Sequence, residues 1–217
     1  MKKELLAISG KLNHGKDTLV DYIISAYVNK NIANATKKYP GPSALFFEKF
    51  IVSSIEIKKL SFADPIKEMA LIMFPQLVRD DLWGPSQNKA KEIKGYKNMV
   101  GERLKRRDVL LDIGKLGRQY NINCWAWATL SKAEEFRTTC PVIITDCRFK
   151  SEFKLIKEAG GKIIRVVRPD IVCTSKDQSE IDLDDIPLDR FDKVVTNDSL
   201  DSLIKEAALI VDEYFEI

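Results

Sequence analysis

Residues 10–18 read GKLNHGKDT and lie between an apolar run, ELLAIS at residues 4–9, and a segment with apolar residues at helical spacing. The glycines let the chain curl so that backbone N–H groups point inward, and the N-terminus of the following helix adds partial positive charge. Lys16 is placed to reach the phosphates that such a loop holds. The strand–loop–helix order therefore predicts a phosphate-binding loop, because a turn that merely starts a helix has no use for this lysine.

Candidate ligands for phosphate and for a metal ion lie within the loop itself. Asp17 stands where most such loops carry the serine or threonine that binds magnesium, and a carboxylate is also a hard oxygen ligand. Thr18 is expected to donate its hydroxyl to a phosphate, and His14 to be a loop side chain near phosphate or solvent. The residues expected to contact the phosphates of the ligand are Gly10, Lys11, Asn13, His14, Gly15, Lys16, Asp17 and Thr18.

Short apolar runs alternate with helix-like stretches along the chain. The predicted strands are residues 4–9, 57–62, 141–145, 162–167 and 193–196, and a last helix is predicted at 200–214. Continuous apolar strands separated by helices are typical of a parallel sheet covered on both faces. Such sheets bind ligands beyond the carboxyl ends of their strands. We therefore expect the site in the loops that follow these five strands.

Two segments interrupt the alternation. Residues 30–54 are first polar, then contain proline and glycine, then become aromatic, and we assign them no role. Residues 80–130 are predicted to be mostly helical, with 103–120 as the clearest helix. The chain contains no internal repeat and no low-complexity tract. The predicted organisation is therefore one domain, residues 1–217, with inserted lobes.

Composition narrows the class of protein. The 217 residues are 45% hydrophobic and 31% charged, which is typical of a globular domain. No apolar run approaches the ~20 residues that cross a bilayer, and the N-terminus runs into glycine and charge rather than a cleavage site. The four cysteines lack metal-binding spacing, so we expect reduced thiols and a cytoplasmic protein.

The net charge of +3 is too small to indicate nucleic-acid binding by itself, but the charges are unevenly distributed. Residues 86–107 are strongly basic, and residues 177–192 are strongly acidic. The basic region suits an anionic ligand. Two solvated faces of opposite sign explain the same pattern, and the sequence leaves both interpretations open.

Further motifs follow the loop in a fixed order. They are KLSFADPIK at 59–67, DLWG at 81–84, LLDIG at 110–114 with Arg118 and Trp125, TDCRFKSE at 145–152, GGKIIRVVRP at 160–169 and VVTND at 194–198. Together with the aspartate after the loop lysine, this set resembles the phage-type deoxynucleoside monophosphate kinases of the P-loop nucleoside monophosphate kinase superfamily. The resemblance covers nearly the whole chain except about residues 30–55.

The resemblance implies an α/β P-loop kinase fold whose five-stranded parallel sheet is flanked by helices, with strand order 2-3-1-4-5. It implies transfer of the γ-phosphate of ATP, with Mg²⁺, to a deoxynucleoside monophosphate (dNMP). It also implies an acceptor-binding lobe at about 80–130 and a lid segment at about 170–191. The family often carries a histidine in this lid. Here the lid reads DQSE at 177–180, and its acidity suits closure onto basic residues better than contact with phosphate.

Beside Lys16, two residues at the end of the third predicted strand are catalytic candidates. Asp146 is placed to hold magnesium or its water shell together with Asp17. Arg148 is expected to meet the acceptor phosphate, because a guanidinium binds phosphate in bidentate fashion. Glu152 is expected to orient an arginine or the start of a helix rather than contact a ligand.

The remaining candidates are divided between the two substrates. Acceptor-side candidates are Lys67 and Arg118, with Trp83 favoured over Trp125 and Trp127 for stacking on the base. Arg168 and Asn197 are ATP-side candidates. Arg165 is expected to lie on a face that a helix covers, which makes it the weaker candidate. A surface salt bridge or a core position explains each of these residues nearly as well.

Two other functions fit the same loop. One is a kinase for another small phosphorylated acceptor, of the dephospho-coenzyme A or phosphomevalonate type. The other is a non-catalytic nucleotide-binding protein or a nucleic-acid-dependent ATPase, although the sequence lacks an Asn-Lys-x-Asp signature and an apolar run ending in paired Asp-Glu. Beyond ATP and a dNMP we expect neither nucleic acid nor a membrane as a partner, and a homodimer stays open.

Overall fold

The structure is a computed structural model that describes residues 2–38, 55–171 and 177–216. Its strands are β1 (Leu5–Ser9), β2 (Lys58–Leu60), β3 (Glu92–Lys97), β4 (Arg103–Lys105), β5 (Val142–Cys147), β6 (Lys162–Val167) and β7 (Lys193–Thr196). Its helices are α1 (Lys16–Lys38), α2 (Asp64–Met73), α3 (Arg79–Trp83), α4 (Ser86–Lys89), α5 (Arg106–Tyr120), α6 (Cys124–Phe136), α7 (Lys150–Glu158), α8 (Gln178–Ile181) and α9 (Leu200–Tyr214), with a short 3-10 helix at Leu188–Arg190.

Five of the strands form a parallel sheet in the order β2-β5-β1-β6-β7. Counted among these five strands alone, the order is 2-3-1-4-5, which confirms the α/β prediction and the predicted order. All five residues of β1 are buried, and strands pair with β1 on both edges, so it is a central strand of the sheet. The loop that follows β1 therefore starts at the middle of the carboxyl edge of the sheet, where parallel sheets bind their ligands.

Helices α1 and α9 pack on the sheet and on each other. Leu19, Ile23 and Ile210 are wholly buried in the same apolar cluster as the strand residues. The rings of Tyr27 and Phe215 meet at a centroid distance of 5.3 Å at the far end of this cluster. Packing within this apolar cluster fixes α1 on the sheet and so fixes its N-terminus next to the loop.

Helix α1 is longer than its apolar spacing predicts. The first part of the segment assigned no role, up to Lys38, continues α1 for more than two further turns. The physical reason is that no proline or glycine occurs between Lys16 and Pro40, and the alanines in this stretch favour the helix. Residues 39–54, which hold the rest of that segment, lie outside the described residues.

The chain divides into two compact units, residues 1–61 with 130–217 and residues 62–129. The first unit contains the parallel sheet. The second has its own apolar core, in which Leu82, Ile93 and Ile113 are buried.

The second unit contains an antiparallel hairpin that the sequence analysis missed. Strands β3 and β4 pair with Lys97 opposite Arg103, so the helix predicted at 103–120 begins only at Arg106. The Asn98 side chain accepts hydrogen bonds from the backbone N–H groups of Val100 and Glu102 and so closes the turn. The alternation of these strands is weak because only Ile93 among the residues of β3 is buried.

Two further properties hold for residues 2–38, 55–171 and 177–216. Cys124, Cys140 and Cys147 are free thiols, as predicted, whereas Cys173 lies outside those residues. Within the same ranges, no helix combines the length and the hydrophobicity that a membrane crossing requires.

Replacement of Ile23 by alanine should lower the free energy of unfolding by about 2–5 kcal/mol, because it opens a cavity where the side chain is wholly buried. Ile204 on α9 is 49% exposed and serves as the matched control, with an expected loss of about 1 kcal/mol or less for Ile204→Ala. Urea unfolding followed by circular dichroism measures both. Equal losses for the two variants would contradict the described core.

Candidate functional site

The loop between β1 and α1 has an unusual backbone that its sequence permits. Gly10, Asn13 and Gly15 have φ angles of 154°, 62° and 92°. A Cβ atom at Gly10 would lie 2.7 Å from the carbonyl oxygen of Val166, so this position requires glycine. Asparagine is among the few other residues that tolerate a positive φ. The sequence therefore dictates the curled loop directly.

Asn197, which follows β7, holds the loop in place. Its side-chain Nδ2 donates a buried hydrogen bond of 2.9 Å to the carbonyl oxygen of His14. Its backbone N–H donates to Val167 at the end of the neighbouring strand. A Cβ atom on Gly15 would collide with the Asn197 amide, so the contact also depends on that glycine. Asn197 thus positions the loop, and its contact with the ATP base stays a prediction.

The sequence left the surroundings of His14 open between phosphate and solvent, and the structure buries the ring. The Nδ1 atom lies 3.4 Å from the carbonyl oxygen of Val166 and accepts a hydrogen bond of 3.3 Å from the backbone N–H of Arg168. Burial lowers the pKa of His14 below its ordinary value, so the ring is neutral at pH 7. The imidazole therefore packs the loop against the end of β6.

Lys16 is buried at the start of α1, and its Nζ donates a hydrogen bond of 2.7 Å to the carbonyl oxygen of Lys11. Burial, and after it the positive charge of Arg148, lowers the pKa of Lys16 to about 8. Three carboxylates act in the opposite direction, in decreasing order those of Glu180, Asp17 and Asp146. The ammonium is still mostly charged at pH 7, in surroundings poor in water.

The turn between β5 and α7 presents Arg148. The carboxylate of Glu152 accepts hydrogen bonds of 2.8 Å and 3.0 Å from the backbone N–H groups of Arg148 and Phe149. This confirms the prediction that Glu152 orients a helix start, and it fixes the backbone from which the arginine projects. The guanidinium of Arg148 forms an ion pair with Glu180.

The carboxylate of Glu180 is the point on which the loop and Arg148 converge. Its Oε2 accepts a hydrogen bond of 2.7 Å from the backbone N–H of Leu12, and its Oε1 accepts one from Arg148. Only 7% of the Glu180 side chain is exposed. A loop amide, a guanidinium and the nearby ammonium of Lys16 thus surround one negative charge, which is the arrangement of an anion-binding site.

Some other acids of the same segment also pair with basic groups. Asp184 lies 2.7 Å from the Nζ of Lys11 and 3.5 Å from the guanidinium of Arg165, and Asp185 pairs with Lys150. Ion pairs with basic residues were expected for this segment, and its closure as a lid stays a prediction. Arg165 is buried and donates to the Ser9 hydroxyl, as its strand position predicts, whereas Arg168 is exposed.

The predicted magnesium ligands have suitable chemistry. Asp17 is exposed on the first turn of α1, and Asp146 is half-buried at the end of β5, where its Oδ2 accepts a hydrogen bond of 2.6 Å from the Ser61 hydroxyl. Mg²⁺ commonly takes one or two carboxylates together with phosphate oxygens and water, so this pair fits it. Within residues 2–38, 55–171 and 177–216, no group of three or more His, Cys, Asp and Glu side chains is arranged to hold a metal ion.

Two acceptor-side candidates meet in the second unit. The Nζ of Lys67 and the indole N–H of Trp83 both donate to Oδ1 of Asp64, at 3.0 Å and 2.8 Å. The cations of Lys67 and Arg79 lie 4.9 Å and 4.2 Å from the centroid of the Trp83 ring. Sequence analysis had not identified Asp64 or Arg79 as part of this cluster.

Arg118 lies on α5, where its guanidinium and the side chain of Ile66 flank Gly114. Trp125 packs over Gly117 and donates a hydrogen bond of 3.0 Å to the carbonyl oxygen of Gly114. This contact makes Trp125 a packing residue of the second unit. Trp127 is half-exposed.

Glu180 is the main residue of the site that sequence analysis missed. Its partners Arg148 and Leu12 lie 32 and 168 positions away in the chain, so no local spacing marks it among the neighbouring acids. The one available signal in the sequence was the excess negative charge of residues 177–192, which complements the positive charge expected at the loop.

Comparisons with known proteins find likenesses among solved structures. No family model matches this sequence, and no curated protein matches it. The chain is similar to a solved structure of dephospho-CoA kinase from Campylobacter jejuni, at 15% identity over 96% of each chain and a TM-score of 0.48.

The Lys16 ammonium should titrate with a midpoint near pH 8, measured by NMR on protein labelled at the lysine Cε atoms. In Arg148→Gln the midpoint should move upward, because the repelling charge is removed while the three carboxylates stay. Arg190→Gln, at an exposed position, is the matched control and should leave the midpoint unchanged. A midpoint near the ordinary ~10.4, or no shift in Arg148→Gln, would contradict the described surroundings.

Proposed function

We propose that this chain is a P-loop phosphotransferase that transfers the γ-phosphate of ATP to a deoxynucleoside monophosphate. One observation carries the proposal. A loop amide, Lys16 and Arg148 surround the carboxylate of Glu180 at the N-terminus of α1, and this geometry suits the terminal phosphates of a nucleoside triphosphate. The resemblance described in the sequence analysis supplies the dNMP as the acceptor.

The loop provides the donor side of the reaction. Both substrates are polyanions, so transfer depends on positive charge placed around the moving phosphoryl group rather than on covalent chemistry by the protein. Lys16 supplies a buried ammonium, which interacts more strongly with phosphate than an exposed one because less water screens it. Backbone N–H groups of residues 10–18 and the dipole of α1 add to that field.

Arg148 is the second catalytic residue of this proposal. It shares the Glu180 carboxylate with the loop amide of Leu12, so its guanidinium reaches a position that the loop also reaches. We assign it to the transferring phosphoryl group, where an arginine stabilises the charge that develops during transfer. The sequence analysis assigned it to the acceptor phosphate, and the two roles have different kinetic consequences.

Asp17 and Asp146 are the residues we propose to hold magnesium, directly or through water. Magnesium, when bound, neutralises part of the phosphate charge. Ser61 donates to Asp146 and so restrains the orientation of that carboxylate. The exposed Arg168 remains the candidate that reaches ATP from the end of β6.

Acceptor binding is assigned to Lys67, Trp83 and Arg118, and this part of the proposal rests on the resemblance of residues 59–67, 81–84 and 110–118. Asp64 orders two of these side chains by accepting hydrogen bonds from both. We likewise assign about 80–130 as the acceptor lobe and about 170–191 as the lid. Closure over the substrates would exclude water and so protect ATP from hydrolysis.

An ADP-release assay with ATP and magnesium, run against a panel of dNMPs, NMPs and dephospho-coenzyme A, tests the proposal. We expect acceptor-dependent turnover with at least one dNMP. Lys16→Ala should lower kcat/KM by at least about a hundredfold, because a buried charge at the transferred phosphate is lost, while circular dichroism shows an unchanged fold.

Lys154→Ala is the matched control, since Lys154 is exposed on α7 and its side chain is 76% accessible. It should retain full activity. Turnover with dephospho-coenzyme A alone would replace the dNMP by another small phosphorylated acceptor. ADP release that ignores every acceptor would contradict the transferase proposal and favour an ATPase.

Arg148→Ala should lower kcat by about 10²–10³-fold if the guanidinium stabilises the transferring phosphoryl group. Steady-state kinetics with both substrates varied measures this effect, and Arg190→Ala is the control. An unchanged kcat with a raised KM for the acceptor would instead return Arg148 to the acceptor phosphate.

A further inference from the structure

The anion-binding position at the loop is filled by a side chain of the same protein. Glu180 accepts from the Leu12 N–H and from Arg148, and its charge acts on Lys16. These are the donors that the proposed function assigns to the phosphates of ATP. Two negatively charged groups cannot occupy one set of donors, so ATP and Glu180 exclude each other there.

Glu180 is not needed to attach its segment to the first unit. Leu183 is buried with 3% exposure, and Asp182 accepts a hydrogen bond of 2.7 Å from the backbone N–H of Lys150. Asp185 pairs with the side chain of Lys150. Residues 182–185 are therefore anchored at the start of α7 by contacts that do not involve Glu180.

Displacement of Glu180 requires only a local movement. Helix α8 is a single turn, Gln178–Ile181, and Asp177 caps it by accepting from the backbone N–H of Ser179 at 2.9 Å. Asp182 follows the turn directly and keeps its own contact with Lys150, so the turn can move away from the loop while residues 182–185 keep their anchors.

A triphosphate is a stronger ligand for these donors than the carboxylate of Glu180. A carboxylate carries one charge on two oxygens, whereas a terminal phosphate carries close to two charges and three strong acceptor oxygens. Both would use the same charge-assisted hydrogen bonds. The carboxylate is nevertheless favourable at the loop, because it compensates the buried positive charges of Lys16 and Arg148, which repel each other.

We propose that Glu180 is an internal phosphate mimic, which blocks the phosphate position of the loop until a nucleoside triphosphate displaces it. This inference rests on the proposed function and adds its regulation. Binding of the triphosphate then releases α8 from the loop, so the movement of the acidic segment is coupled to nucleotide binding. The apparent affinity for phosphate is reduced by the fraction of molecules in which Glu180 occupies the site.

Binding of inorganic tripolyphosphate with magnesium, measured by isothermal titration calorimetry, tests the proposal without requiring catalysis. Glu180→Gln keeps the shape of the side chain and removes its charge. We expect this variant to bind tripolyphosphate about tenfold more tightly than the unmodified protein, which corresponds to a site that is blocked about nine-tenths of the time. Asp189→Asn is the matched control, because it removes one charge from an exposed position of the same segment and should leave the affinity unchanged.

Hydrogen exchange of residues 177–181 provides a second readout. Tripolyphosphate should increase exchange in this segment of the unmodified protein, although most ligands protect the residues near them. In Glu180→Gln the segment should exchange rapidly before any ligand is added.

These two measurements distinguish failure of the phosphate mimic from failure of the phosphate site. Equal or weaker binding by Glu180→Gln, or protection of residues 177–181 by tripolyphosphate, would overturn the mimic while leaving the phosphate loop intact. A tighter affinity in Asp189→Asn as well would attribute the effect to net charge and would also overturn it. Absence of binding by every variant would overturn the phosphate site itself, and the mimic with it.

Discussion

The hydrogen bond from the Asn197 amide to the carbonyl oxygen of His14 ties the first loop of the chain to the end of its last strand. It forms only because Gly15 has no side chain to keep the amide away. Because the carbonyl oxygen of His14 is held in this way, the curled backbone of residues 10–15 is fixed at the carboxyl edge of the sheet. The direction of its N–H groups and the burial of Lys16 both follow from that position.

Burial of a cation at the loop has an electrostatic consequence for the rest of the unit. Lys16 and Arg148 repel each other in surroundings where little water screens them, which is why the pKa of the lysine falls to about 8. The chain compensates this charge with an acidic segment far along the sequence, and Glu180 supplies the compensating carboxylate. The positive charge at the loop thus holds the carboxylate of Glu180.

Prediction from the sequence succeeded where the signal is local. The strands at 162–167 and 193–196 and the helix at 200–214 occur where expected, because continuous apolar runs and helical spacing depend on neighbouring residues only. Glu152 was likewise predicted from its position at a helix start. The hairpin of β3 and β4 was missed because one buried residue in six does not produce a visible alternation. The continuation of α1 was missed because residues 30–38 are mostly polar and exposed, so they show no apolar spacing although local propensity favours the helix.

The sequence by itself determined the strands of the parallel sheet and the curled loop at residues 10–18, since each depends on short stretches whose residue types permit few backbone conformations. The strand order was predicted from the family resemblance rather than from any short stretch. Only the tertiary structure decided which side chains surround that loop. Arg148 and Glu180 are 32 positions apart, and Glu180 and Leu12 are 168 apart, so folding alone brings them together. The same holds for the burial of His14 and Lys16, because the exposure of a side chain depends on what the rest of the chain places over it.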